Sequence, residues 1–187
     1  MSLIDSSYFH GPLVIPNLGS SGFAASSLGD RLNGFIDFYE ASLLKSLLGE
    51  TLYSEFINGL EADDPLDKWL DLKDQLVDEE NLLSPIASWV YYHSRRTMAT
   101  LSTGIGEIIP ATENGSMTDL NFKLVSAWND TRAGIMKVIE FLVDNFDDYP
   151  DWELFIYTGI PDFDDLVETG YLSVQTLELT PFNRIGI

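Results

Sequence analysis

The sequence predicts an all-α fold: a bundle of about five helices with one long helix in the C-terminal half, an extended N-terminal arm, and a short irregular or β tail. Three observations predict it. Apolar residues recur at three-and-four spacing between Leu32 and Leu60 and again between Trp128 and Leu142. Asp64-Pro65 and Ser84-Pro85 have the form of helix starts, since proline at the first helical position gives up only an amide hydrogen that had no partner. Gly49, Gly59, Gly104 and Gly106 punctuate the apolar runs where a helix must end or turn.

Residues 1–29 hold Pro12, Pro16 and four glycines, yet also Tyr8, Phe9, Leu13, Val14, Ile15, Leu18 and Phe23, which is too apolar for a flexible tail. Two readings bury the same side chains: an arm that grips a neighbouring subunit, or a segment folded back on its own core. A first helix begins at Asp30 as cap, with Leu32, Phe35, Ile36, Tyr39, Leu43 and Leu47 on one face, and Gly49 ends it. Leu52, Phe56 and Leu60 continue a short second helix stopped near Gly59, so that FIDFYEASLLKSLLGETLYSEFINGL reads as a helical corner.

The third helix opens at Asp64-Pro65 and is expected to bury Leu66, Trp69, Leu70 and Leu76. The fourth opens at Ser84-Pro85 and carries Ile86, Trp89, Val90 and Leu101 until Gly104 and Gly106 break it, with a polar loop to Ser116. From Thr118 to Asn145 there is no proline, and Trp128, Thr131, Ile135, Val138 and Leu142 repeat at the spacing of packed helices. At about 1.5 Å per residue this helix would run roughly 40 Å, long enough to be the spine of a bundle or to pair with a neighbour; Gly134 weakens it slightly. Beyond Pro150 a small helix is expected over Asp162 to Glu168, then a short strand over Tyr171 to Leu179. The apolar end at Ile187 suggests docking. The chain therefore divides into an arm (1–29), a helical domain (30–150) and a tail (151–187).

At 187 residues, with 45% hydrophobic and 12% aromatic residues, the chain can bury one core despite thirty acids against ten bases. The net charge of -20 disfavours duplex nucleic acid and anionic bilayers as direct ligands, because both are bound through Lys and Arg. Protein partners and cations are favoured. Without cysteine there is no disulfide frame and no thiolate metal site. MSLIDSSYF lacks the features of a secretion signal, and no apolar run approaches the roughly 18 residues that span a bilayer.

Site chemistry is sparse. His10 and His93 are the only histidines and neither sits in a ligand motif; His93, between Tyr92 and Ser94, reads as packing or a satisfied hydrogen bond. Glu61 to Glu80 holds nine acids with two lysines, and Asp144 to Glu168 nine acids with no base, but neither has the order of a calcium loop, and solvated helix faces and caps are the simpler reading. Gly104-Ile-Gly106 lacks the third glycine of a dinucleotide cradle, and Gly19-Ser-Ser-Gly22 is one residue short of a nucleophile elbow. Arg95 and Arg96 are expected to form surface ion pairs. No catalytic, metal or cofactor-binding residue is expected.

The corner FIDFYEASLLKSLLGETLYSEFINGL, the acidic linker after it, and LLSPIASWVYYHSRR together resemble the head-to-tail connector or adaptor proteins of tailed bacteriophages and prophages. In that family a helix ends in a Leu-Gly-x-x-Leu-Tyr block, matched here by Leu48, Gly49, Leu52 and Tyr53. A later aromatic-rich helix is matched by Trp89, Tyr91 and Tyr92. The similarity covers roughly residues 32 to 145.

It implies an α-helical subunit without catalytic residues that assembles as a ring between portal and tail, in the bacterial cytoplasm during assembly and then in the virion. Candidate contacts with sister copies, portal or tail subunits are Tyr8, Phe9, Val14, Ile15, Trp128, Ile135, Val138, Leu142 and Ile187. Two other functions compete. An acidic DNA-mimic inhibitor of a DNA-binding protein would spread its acids along one face, whereas here they gather in caps and linkers. A carboxylate-based enzyme would need two acids to meet in a cleft.

Overall fold

The computed structural model describes residues 2–18, 23–98, 101–103, 106–108 and 121–152, with side chains for 2–18, 28–98 and 122–152. The helix expected at Asp162 to Glu168, the strand at Tyr171 to Leu179 and Ile187 lie outside the described residues. Among the described residues the fold is an all-α bundle of four helices: α1 Phe23–Leu60, α2 Asp67–Leu76, α3 Pro85–Met98 and α4 Asn121–Asp144. No described helix is long and apolar enough to cross a membrane.

α1 is two helical segments that abut at a kink, and the kink is Gly49, at φ 78 and ψ 163. A side chain is almost never tolerated there, because Cβ would collide with the backbone. The expected corner is therefore present as two straight segments, which brings the count of straight segments to five. The start differs from expectation: helix begins at Phe23, seven residues before Asp30, which shortens the arm. Leu28 extends the apolar face by one turn before Leu32 and packs on the core, so the stripe continues past the expected cap.

α2 begins two residues after Pro65, with Leu66 as its cap residue. Its buried side chains are Trp69, Leu72 and Leu76, not Leu66 and Leu70, which are 62% and 41% exposed. The inward stripe is set by Trp69, and a residue at the next position lies about 100° around the helix, beyond the edge of the core. Gly59 was expected to stop the helix; α1 runs on to Leu60. The glycine instead admits Trp69, whose indole would lie 2.2 Å from a Cβ at that position.

Ser84 joins α2 to α3 in the way its sequence context predicts. Its hydroxyl accepts from the Ile86 amide at 3.1 Å and donates to the Leu76 carbonyl at 2.8 Å, satisfying one orphan group at the start of α3 and another at the end of α2. α3 ends at Met98, short of the expected Leu101. That residue instead opens β1 Leu101–Thr103, antiparallel to β2 Gly106–Ile108 with Leu101 opposite Ile108. Thr97, Thr100 and Thr103 are β-branched and disfavour a continued helix.

α4 packs on α2 and α3 through Thr131, Ile135, Val138, Ile139 and Leu142, all buried. Gly134 is not merely a weak point: a Cβ there would lie 2.5 Å from the Pro85 side chain, so the glycine sets how closely α3 and α4 approach. Gly134→Ala, favourable by helix propensity, is expected to destabilise the fold by about 1 to 3 kcal/mol through overpacking. Urea unfolding monitored by circular dichroism measures it. A neutral or stabilising change would mean that the α3–α4 contact yields.

The arm is folded back on its own core. Leu3, Ile4, Tyr8, Phe9 and Ile15 are buried, through short 3-10 turns at Ser6–Tyr8 and Gly11–Leu13. Glu40 of α1, only 4% exposed, fastens the beginning of the chain: its carboxylate accepts from the Leu3 amide at 2.8 Å, the Ser2 hydroxyl at 2.9 Å and the Ile4 amide at 3.4 Å. Burial raises the pKa of Glu40 above the usual carboxylate range, opposed by those hydrogen bonds and helped by Asp37.

A raised acid pKa means that the folded state holds the proton more tightly than the unfolded chain. The Glu40 contribution is thus most favourable at low pH and is lost as pH rises from the ordinary glutamate value through the raised one. Glu40→Gln is expected to remove this component, so the stability difference between variant and wild type changes with pH only across that window. A difference that stays flat from pH 4 to pH 8 would contradict the assignment.

Candidate functional site

Among the described residues, a connected group of aromatic side chains runs across α1, α3 and α4 and reaches the surface. Its members come from helical spacing: Phe35, Phe38 and Tyr39 on α1, Trp89, Tyr92 and His93 on α3, and Trp128 on α4. The rings form a continuous chain. Phe35 stacks on Tyr39 with centroids 6.1 Å apart, and Tyr39 stacks on His93 at 4.5 Å. His93 meets Trp89 edge-on at 4.2 Å, Trp89 meets Trp128 at 5.8 Å, and Trp128 meets Tyr92 at 4.9 Å.

Phe38 stands at the outer end, edge-on to Tyr39 at 5.1 Å and 67% exposed. Arg96 lies over the Tyr92 ring at 5.3 Å and donates to its hydroxyl at 3.2 Å. Arg95 faces the buried Tyr91 hydroxyl, where its charge partly offsets the upward push of burial on that phenol. The two arginines, expected to form ion pairs, thus engage tyrosines.

His93 is enclosed by rings, and burial together with Arg96 pushes its pKa down to about 4. It is therefore neutral at pH 7. Its Nε2 and the Trp89 Nε1 are shielded from solvent and have no hydrogen-bond partner among the described residues. Buried polar atoms of this kind are uncommon. Both sit in the middle of the aromatic belt.

Of the expected contact residues, Trp128 lies in this belt, where it meets Trp89 and Tyr92, two residues matched to the aromatic-rich helix of the resemblance. Others are spent inside the chain. Tyr8, Phe9 and Ile15 are buried in its own core, as are Ile135, Val138 and Leu142, because the α4 seam packs against α2 and α3; Val14 is exposed. Tyr91 is buried too. Leu48 and Leu52 are buried on either side of the Gly49 kink, and Tyr53 is half-buried with the Lys45 ammonium 5.3 Å from its ring centre. Phe35, Phe38, Tyr39, His93 and Arg96 belong to the site without having been singled out as contacts. The signal was present: aromatics at 35, 38 and 39 and at 89, 92 and 93 share helix faces.

Among the described residues no group of three or more His, Asp or Glu is placed to hold a metal ion. Comparison of the chain with protein-family models, with curated proteins and with solved structures gives no match.

Proposed function

We propose that the protein is a structural subunit of the head-to-tail connector or adaptor class of tailed bacteriophages or prophages, assembling with sister copies and with portal or tail subunits. The observation that carries the reading is the aromatic belt. Trp, Tyr and Arg are the residues that dominate binding energy at protein interfaces, and here three half-buried helices present them together with an exposed Phe38. The belt is a contact surface in this reading, with Phe38 at its exposed outer end.

The Leu48-Gly49-x-x-Leu52-Tyr53 block supports the same reading. It forms a kink that only glycine accommodates, with its leucines in the core, so the residues that carry the resemblance share one structural task. An acidic ring would also repel DNA in its lumen and leave the passage non-adhesive.

The test is to mix the purified chain with portal rings encoded in the same genome region and to measure co-sedimentation and ring formation by electron microscopy. The reading predicts stoichiometric addition to the portal. A chain that stays monomeric, ignores the portal and has no portal, capsid or tail genes as neighbours would overturn it.

A further inference from the structure

A cleft of about 530 Å³ lies on another part of the molecule, between the arm at His10 to Leu13, the turn joining α2 to α3, and the α4 face at Asp130, Ala133 and Lys137. Its size falls within the roughly 300 to 1,000 Å³ of small ligand and side-chain pockets. Its frame is held in place before anything binds. His10 Nε2 is 3.1 Å from the Leu82 carbonyl, fastening the arm to the turn. Asp78 and Leu83 exchange two backbone hydrogen bonds, at 2.8 and 3.1 Å, and the Asp78 carboxylate accepts from both the backbone and the side-chain amide of Asn81.

Between them Leu82 takes the left-handed region at φ 53, which non-glycine residues seldom occupy. The outcome is Leu83 on the rim, 59% exposed, beside the apolar surface of Leu13, Leu82 and Pro85. The polar part of the lining carries one sign in excess: Asp74, Asp78 and Asp130 against Lys137. Asp78 is held below the usual carboxylate range by Asn81, so it stays ionised.

We infer that this cleft is a docking groove for a short segment of a protein partner in which an apolar side chain is flanked by lysine or arginine. The apolar floor takes the central side chain, and the three carboxylates take the basic flanks, where arginine can bind a carboxylate through two parallel hydrogen bonds. Charge decides the occupant. A second copy of a chain at -20 would bring its own repulsion to the rim, and an anionic ligand would meet three carboxylates. The whole-chain field also speeds the approach of a basic partner at low salt. The inference is independent of the connector reading, because the aromatic belt contributes nothing to this groove.

The test is an array of immobilised nine-residue peptides with Leu, Phe or Trp at the centre and all combinations of Lys, Arg, Glu and Ser on the flanks, probed with the full chain. The best peptide is then titrated by fluorescence anisotropy against wild type, Ala133→Trp, Leu83→Asp and the pair Asp74→Asn with Asp130→Asn. The array is expected to select basic flanks on both sides of the apolar centre. Ala133→Trp fills the groove from an exposed position and is expected to weaken binding at least about tenfold, Leu83→Asp by a similar factor, and the charge pair by about threefold or more at low salt, with that last loss shrinking in high salt. Selection of acidic or uncharged flanks, selection of nothing, or equal binding by folded Ala133→Trp and Leu83→Asp would each overturn the inference.

Discussion

Replacing Trp152 with alanine is expected to destabilise the protein by about 3 to 5 kcal/mol, a large part of the roughly 5 to 15 kcal/mol typical of a domain. Trp152 is among the largest fully buried side chains, and its indole Nε1 donates to the Leu47 carbonyl at 2.9 Å. That carbonyl lies two residues before the Gly49 kink, so the indole fastens the end of the first helical segment. The kink and the tryptophan therefore depend on each other.

The preceding residues act as a strap with the same logic. The Tyr149 hydroxyl donates to the Lys68 carbonyl at 2.6 Å, while the Lys68 ammonium donates to the Asp148 carbonyl at 3.1 Å and lies over the Trp69 ring. Burial beside Asp71 and Asp148 pushes the Tyr149 hydroxyl up to about 12, so it remains a donor at any physiological pH. Trp152→Phe separates the two contributions. It keeps most of the volume but removes the hydrogen bond to the Leu47 carbonyl, at a cost of about 1 to 3 kcal/mol. Urea unfolding gives both numbers, and a Trp152→Ala loss below about 1 kcal/mol would show that the strap does not hold the kink.

Phe38→Glu is the second large effect, on association and not on folding. At 67% exposure the phenyl ring contributes little to the core, so the unfolding midpoint is expected to stay within the ordinary scatter of surface substitutions, about 0.5 kcal/mol. In an interface the same change would bury a carboxylate against Tyr39 and its neighbours. Association is expected to weaken at least tenfold, which corresponds to about 1.4 kcal/mol.

Much of the architecture is legible in the residues because it rests on local signals. Ser84-Pro85 opens α3 as its capping chemistry requires, Gly49 turns the first helix, and the repeat from Trp128 to Leu142 is a helix. What was not legible depends on partners distant in sequence. Periodicity shows that Ile135, Val138 and Leu142 share a face, but not whether that face meets α2 and α3 or another subunit. Composition shows that Tyr8, Phe9 and Ile15 need burial, but what folds the segment back includes the Glu40 carboxylate, which holds Ser2, Leu3 and Ile4 from 36 to 38 residues away.

Tyr149 and Trp152 escape a periodic reading because they are single buried aromatics in an acidic, proline-containing stretch. Gly134 looks like a flaw until Pro85 is placed against it. The aromatic belt is an intermediate case. Each helix shows its own aromatic face in the sequence, and only the packing of α1, α3 and α4 makes one surface of them.

The most direct measurement is sedimentation velocity of wild type and Phe38→Glu over about a hundredfold range of concentration, alone and with portal rings. If the belt is a protein-contact surface, the wild type forms larger species or joins the portal, and Phe38→Glu does so at least tenfold less readily while unfolding at the same urea concentration. Identical sedimentation of the two, free and with portal, would contradict the assignment of the belt to assembly.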